Sequence, residues 1–217
     1  MDLKKHHKPT FDNISKEKRE RIINVATKEF ALKGFENANI NDIAKKAQIS
    51  VGSLYKYFDN KQDLFLTIVN YNIATMDNLL IALSQSDEDI LLKVEQILRT
   101  IQKYSKENEL IIKFYNVMTN ESNPRFAGYF ANEMESMTAR IYYTAIEQGK
   151  KAGDVRTDID SAFAAYLLDN MFMSLQFSYA CDYYKERFKI YAGDSILEKD
   201  DFVVEQCLKF IKSALKK

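Results

Sequence analysis

The residues with the clearest capacity for chemistry lie between Asn39 and Lys61, and that chemistry is hydrogen bonding rather than catalysis. Asn39 and Ser50 are good N-cap residues, each heading a short segment of helical periodicity. Ile40, Ile43, Ala44 and Ala47 fall at offsets 0, 3, 4 and 7; Val51 to Phe58 makes two turns with Leu54 and Phe58 on one face. The opposite side of the second segment carries Val51, Ser53, Lys56 and Tyr57, with Tyr55 at its edge. Two short helices joined by a tight turn form a helix-turn-helix, and the second is of a size that enters the major groove of B-DNA. Ala44 is small where the helices must approach, and Ile49 and Leu54 fill the wedge between them. Enzymatic patterns are missing: the sequence has no H-E-x-x-H, no G-x-S-x-G and no phosphate loop. Its only histidines, His6 and His7, lie among Lys4, Lys5 and Lys8 in a segment expected to be a basic arm, able to follow a phosphate backbone or simply solvated. No catalytic residue, metal site or cofactor is expected.

The elements that must position these residues are helices. Only 6 Gly and 2 Pro occur in 217 residues, too little turn chemistry for a sandwich, a barrel or a doubly wound sheet, and 46% of the residues are hydrophobic, ample for a core. The fold class is all-α. The net charge is zero, with 31 basic and 31 acidic residues, but it is unevenly spread: residues 1–65 hold 13 Lys or Arg against 9 Asp or Glu, a net of +4, and the rest holds 18 against 22, a net of −4. The cationic part is the one with the helix-turn-helix. Cys181 and Cys207 form no metal or disulfide framework, and the apolar stretch from Ala162 to Ala180 is interrupted by Asp169, Asn170 and Ser174, so a soluble cytoplasmic protein with reduced thiols and no membrane span is expected.

Periodicity places a first helix after Ser15, burying Ile22, Ile23, Ala26 and Phe30 and ending at Gly34, whose left-handed C-cap lets Phe35 fold back. A longer helix begins at Lys61 and runs to about Leu83. An S-x-x-D start at Ser86 and Asp89 precedes a helix with Ile90, Val94, Ile97 and Ile101 on one face. Further helices are predicted over 108–119, 124–150, 160–191 and 199–216, with a turn at Gly149 to Gly153.

The stretch Gly34-Phe35 … Ile43-Ala44-x-x-Ala47-x-Ile49-Ser50-x-Gly52-Ser53-Leu54-Tyr55-x-Tyr57-Phe58-x-x-Lys61-x-x-Leu64 resembles the tetracycline-repressor-like (TetR) transcriptional regulators, and with the first helix the likeness covers about 50 of the 217 residues. Gly153-Asp154-Val155-Arg156-x-Asp158-x-Asp160 is similar to a turn that many members carry before their penultimate helix. One position departs: members usually place Gly where this chain has Gln48, in the turn between the two helices. The resemblance implies a basic arm (1–14), a three-helix DNA-binding domain (15–65) and a larger helical domain (66–217) for effector binding and dimerisation, joined through the helix that starts at Lys61. It implies that Val51, Gly52 and Ser53 meet base edges of double-stranded DNA, and that Asn39, Tyr55, Lys56, Tyr57 and Lys61 contact or are organised against phosphates. Core packing is the competing role for Tyr55 and Tyr57, although Leu54 and Phe58 already fill the inner face.

Members enclose a small-molecule effector in the equivalent C-terminal helices. Here the candidates are Phe114, Met118, Phe130, Met134, Met137, Tyr166, Met173 and Phe177, an aromatic and Met-rich set that would suit a largely apolar ligand or serve as plain core. Asp169 and Asn170 mark a polar contact in a pocket or interface, or face solvent. The resemblance further implies a homodimer through the last two helices, release from a palindromic operator when the effector binds, and the helix from Lys61 as the lever. An architectural DNA-binding protein without an effector is the alternative.

Overall fold

The computed structural model describes residues 5–84, 89–119, 126, 128, 129 and 131–216; among them there is no β-strand. The helices are α1 (Pro9–Asp12), α2 (Lys16–Asn37), α3 (Ile40–Lys46), α4 (Val51–Tyr57), α5 (Lys61–Ser84), α6 (Ile90–Glu107), α7 (Glu109–Thr119), α8 (Ser136–Ala152), α9 (Ser161–Ala180), α10 (Asp182–Ala192) and α11 (Asp200–Leu215). A π-helical turn, Ala131–Glu135, leads into α8, and a 3₁₀ turn, Ile196–Glu198, precedes α11. No helix of the described residues is long and apolar enough to cross a membrane.

Most helix starts follow from one side chain. Ser15, Asn39, Ser50 and Asp160 accept hydrogen bonds from the amides of Lys18, Asn41, Ser53 and Phe163, which satisfies donors that have no intrahelical partner. Ahead of α6 it is Asp89 that caps, accepting from the Leu91 amide at 2.7 Å; Ser86 lies outside the described residues. Gly153 adopts the left-handed conformation (φ 84°, ψ 5°) and closes α8 by donating to the carbonyls of Gly149 and Lys150.

Three boundaries differ from expectation. At Gly34 (φ 70°, ψ 175°) the chain kinks, and a last turn runs on to Asn37. The helix expected over 160–191 is two helices, because Cys181 is extended (φ −97°, ψ 130°). No Gly or Pro announces that break; tertiary ties hold it, with Lys185 bound to Glu109 at 2.9 Å and Lys113 to Asp182 at 3.5 Å across to α7. The helix expected over 124–150 changes to π geometry at 131–135 before α8; Pro124 lies outside the described residues.

Two main cores result. The first joins α1 to α5 and takes Phe114 and Met118 from α7; the second is built by α6, α8, α9 and α11. α2 lies along α7 in the most extensive helix contact of the described residues. Residues 5–14 are no free arm. Phe11 is only 2% exposed, packed between Tyr57 and Phe58 with ring centroids 5.7 and 4.9 Å away, and Lys8 donates its backbone amide to the Tyr57 carbonyl at 2.8 Å. A phenylalanine that cannot be left in water carries the start of the chain onto α4.

Candidate nucleic-acid interface

The turn between α3 and α4 is closed by two backbone bonds, from the Gln48 amide to Lys45 and from the Ile49 amide to Ala44. Gln48 has φ 57°, the left-handed region, and is the only non-glycine residue among those described with a positive φ. The chain therefore accepts a conformation that costs a side-chain-bearing residue about 1–2 kcal/mol to keep the turn angle. Ala44 and Ala47 are fully buried, as the close approach of α2, α3 and α4 requires. Arg21 ties α2 to the turn by donating to the Ala47 carbonyl at 2.9 Å.

Glu29 fastens α3 from below. It is 2% exposed, and its carboxylate meets Lys33 at 2.5 Å and Lys46 at 2.7 Å. Burial alone would raise its pKa, but the two ammonium groups outweigh it and hold the carboxyl below its ordinary value. The sequence shows a Glu–Lys pair four residues apart on α2, but only the fold brings Lys46 to it.

α4 presents a compact face. Gly52, Tyr55 and Lys56 are exposed, Val51 and Ser53 half-buried, and Leu54 and Phe58 sealed in the core. Tyr55 keeps 48% of its surface. The Ser50 hydroxyl lies 2.8 Å from that of Ser53, and Asn39, exposed, holds the start of α3.

Two expected phosphate ligands are placed elsewhere. Tyr57 is 7% exposed, lies against Phe11, and its hydroxyl accepts from Lys18 Nζ at 3.0 Å; α1, which the periodicity did not reveal, covers it. Lys61 donates to the carbonyls of Glu36 and Ala38 at 2.8 and 3.0 Å, with its ammonium 4.9 Å from the Phe35 ring centre, so it seals the α2–α3 connection. Lys8 is also committed, to the Tyr55 carbonyl and to Asp59. Of the basic arm, His7 pairs with Asp12, and His6 Nε2 lies 3.1 Å from the Tyr129 hydroxyl.

Residues 22–68 match the model of the bacterial regulatory proteins of the tetR family. The match spans most of α2, the helix-turn-helix and the start of α5, and over that segment the chain is similar to the TetR family. It is 23% identical over 167 residues to the HTH-type transcriptional regulator YdgC of Bacillus subtilis, covering 75% of this chain and 81% of that protein. Its fold is that of a TetR family transcriptional regulator from Chloroflexus aurantiacus (TM-score 0.66, 21% identity, 97% and 99% of the two chains). FadR of Bacillus subtilis, solved in complex with stearoyl-CoA, is similar too (TM-score 0.66, 15% identity, 86% and 95%). These are transcriptional regulators, and the segment of this chain that matches the family carries the helix-turn-helix.

The expected effector residues separate into two groups. Tyr166, Asp169, Asn170 and Met173 line a cavity of about 600 Å³ between α8 and α9. Phe114 and Met118 do not: they are buried in the first core, on the far side of α7. Phe177 packs in a third cluster with Ile112 and Cys181, its ring between Tyr115 and Tyr184. Met137 is half-buried on the first turn of α8 and is not among the residues lining that cavity. Phe130 and the Met134 side chain lie outside the described residues. Sequence reasoning missed Glu135 and did not single out Tyr115 and Tyr143 from the other aromatics of the central helices. The Tyr115 hydroxyl donates to Glu135 Oε1 at 3.2 Å and lies 3.5 Å from Met173 Sδ. Tyr115 and Tyr143 stood among many ring residues, and a glutamate on a polar stretch carries no signal.

Replacing Gln48 by Gly relieves the left-handed strain and is expected to raise stability by about 0.5–1 kcal/mol in urea unfolding; a lower midpoint would show that the Gln48 side chain has a stabilising role instead. For Glu29 the depressed pKa sets the sign: its contribution is complete above the ordinary value of 4.5 and is lost as pH falls through the folded value. Glu29→Gln is therefore expected to cost about 1–3 kcal/mol at pH 7 and to flatten the acid limb of stability against pH; parallel acid limbs for the two proteins would contradict that assignment.

Proposed function

We propose that the chain is a homodimeric repressor that binds a palindromic operator through α4 in the major groove and leaves it when a small molecule enters the C-terminal cavity. The observation that carries the reading is the face of α4: Val51, Gly52 and Ser53 at its first turn can address base edges, while Tyr55 and Lys56 flank them for phosphate contact. FadR's complex with stearoyl-CoA supports a ligand role for the C-terminal helices of this fold.

Dimerisation is supported by what α9, α10 and α11 leave in water. Leu167, Ile190, Tyr191, Phe202 and Phe210 are all exposed, Ile190 at 82%, and a groove of about 500 Å³ runs among these helices beside Met171 and Cys207. Contiguous apolar surface of this kind marks an interface, and a second copy related by a two-fold axis buries it on both sides. Two α4 helices about 34–36 Å apart then meet successive major grooves.

Communication runs through α7 as well as α5. One side of α7 puts Phe114 and Met118 into the core of the DNA-binding part, and the other puts Tyr115 on Glu135 and Met173. A ligand that displaces Tyr115 pushes on the helix against which α2 rests.

The test is selection of bound sequences from random duplex DNA, followed by anisotropy titrations at several salt concentrations. A palindrome with half-sites one helical turn apart is expected. Lys56→Ala should weaken binding to all sequences and lower the salt slope by about 1, Tyr55→Ala should weaken it uniformly, and Ser53→Ala should change which sequence is preferred. Enrichment of no sequence, or equal losses on every sequence for all three variants, would refute the reading.

A further inference from the structure

What the cavity accepts can be argued from its walls, an inference that rests on the reading of that cavity as the effector site. Met173 and the alanines of α8 and α9 make it apolar, and the rings of Tyr143 and Tyr166, 45% and 61% exposed, stand at its open side. Two carboxylates face it, Glu135 from the π-helical turn and Asp169 from the middle of α9. One Glu135 oxygen accepts the Tyr115 hydroxyl. Among the described residues, Asp169 has neither a hydrogen-bond nor an ion-pair partner. Burial, and then the charge of Glu135, push its carboxyl up to about 6, and burial raises Glu135 in turn. Arg140, the one cation among the described residues of the wall, is exposed and pairs with neither. Tyr142, buried on the inner face of α8, and Tyr115 are both held protonated by burial and by these carboxylates.

A half-buried carboxylate with no partner is costly, and chains normally remove or pair it. Here two converge on one apolar space beside aromatic rings, and the complement of that arrangement is a positive charge on a lipophilic body. We propose that this cavity binds an organic cation, a protonated or quaternary amine on an aromatic or aliphatic frame, with the ammonium held by Asp169 and Glu135 and the frame against Tyr143, Tyr166 and Met173. The same walls repel a carboxylate or an acyl thioester carrying several phosphates, so FadR's ligand is the wrong class for this chain although the fold is shared.

The experiment is calorimetric titration of the full chain with four probes: a naphthylmethyl trimethylammonium ion, the neutral alcohol and the carboxylate on the same ring, and stearoyl-CoA. The ammonium should bind at least about tenfold more tightly than the alcohol, with the carboxylate and the thioester weaker still. Asp169→Asn should remove about tenfold in ammonium affinity and leave the alcohol within about twofold; its thermal midpoint should stay or rise, because an unpaired charge has gone. Glu135→Gln should act in the same direction and serves if the first variant does not fold. Equal binding of ammonium and alcohol, preference for either anion, insensitivity to both substitutions, or no saturation by about 1 mM ammonium would each overturn the proposal. Operator selection on the same preparation separates the two readings. A protein that enriches a palindrome yet ignores the ammonium overturns the cation assignment and leaves the regulator intact; one that binds the ammonium through Asp169 yet selects no DNA does the reverse.

Discussion

Phe65, at the start of α5, stands edge-on to Phe30 of α2, Phe35 at the kink and Phe114 of α7, with ring centroids 5.0, 5.1 and 5.4 Å away. Each buried ring is worth about 1.5–3 kcal/mol of transfer free energy, with about 0.5–1.5 kcal/mol more for a well-disposed aromatic pair, so this cluster is among the strongest attachments in the molecule. It draws on α2, α5 and α7 at once. The core of the DNA-binding part is completed by Phe114 and Met118 of α7, and the orientation of α3 and α4 is referred through α2 to a helix whose other side touches the cavity. A separation at residue 65 would divide the cluster. The boundary expected from sequence thus falls inside the first core, and α7 packs against both α2 and α9.

The helix-turn-helix is held to this frame by polar contacts that water could otherwise take. Glu29 clamps Lys46, Arg21 holds the Ala47 carbonyl, and Lys61 holds those of Glu36 and Ala38. Three cations that composition would assign to DNA are spent on the protein's own backbone and carboxylate. The positive balance of residues 1–65 thus overstates the charge left facing outward, whereas Lys56 of α4 is exposed.

Most of what local physics decides was legible. The helix start after Ser15, the caps at Asn39 and Ser50 and the turn ending at Gly153 depend on neighbours within a few positions, and spacing reveals them; the resemblance marked Gln48. What was illegible depends on partners distant in sequence. Tyr57 looked free because the segment that covers it, Pro9–Asp12, is too short to show a period. Phe114, Met118 and Tyr115 occupy one helix, and periodicity cannot say which of its faces meets the first core and which the cavity. The break at Cys181 coincides with ion pairs to α7 from residues far away in sequence. Asp169 and Asn170 were visible as polar residues in an apolar helix, and both line the cavity; Glu135, on a polar stretch, was not visible.

Magnitudes limit how a ligand could move α4. Taking a population from 1:99 to 99:1 requires about 5.5 kcal/mol of differential binding, whereas one hydrogen bond contributes about 0.5–1.5 kcal/mol net. Breaking the Tyr115–Glu135 bond is then far too little by itself. A ligand that neutralises Asp169 and Glu135 removes their mutual repulsion and buries apolar surface against α8 and α9 in the same event, and each of these can differ between two packings of the cavity. Tyr115 then follows Glu135 rather than drives it, and α7 shifts because its Phe114 and Met118 face cannot stay seated in the first core if the opposite face moves. Tight packing makes that face respond as one unit, so the charge in the cavity and the rings around Phe65 meet opposite faces of the same helix.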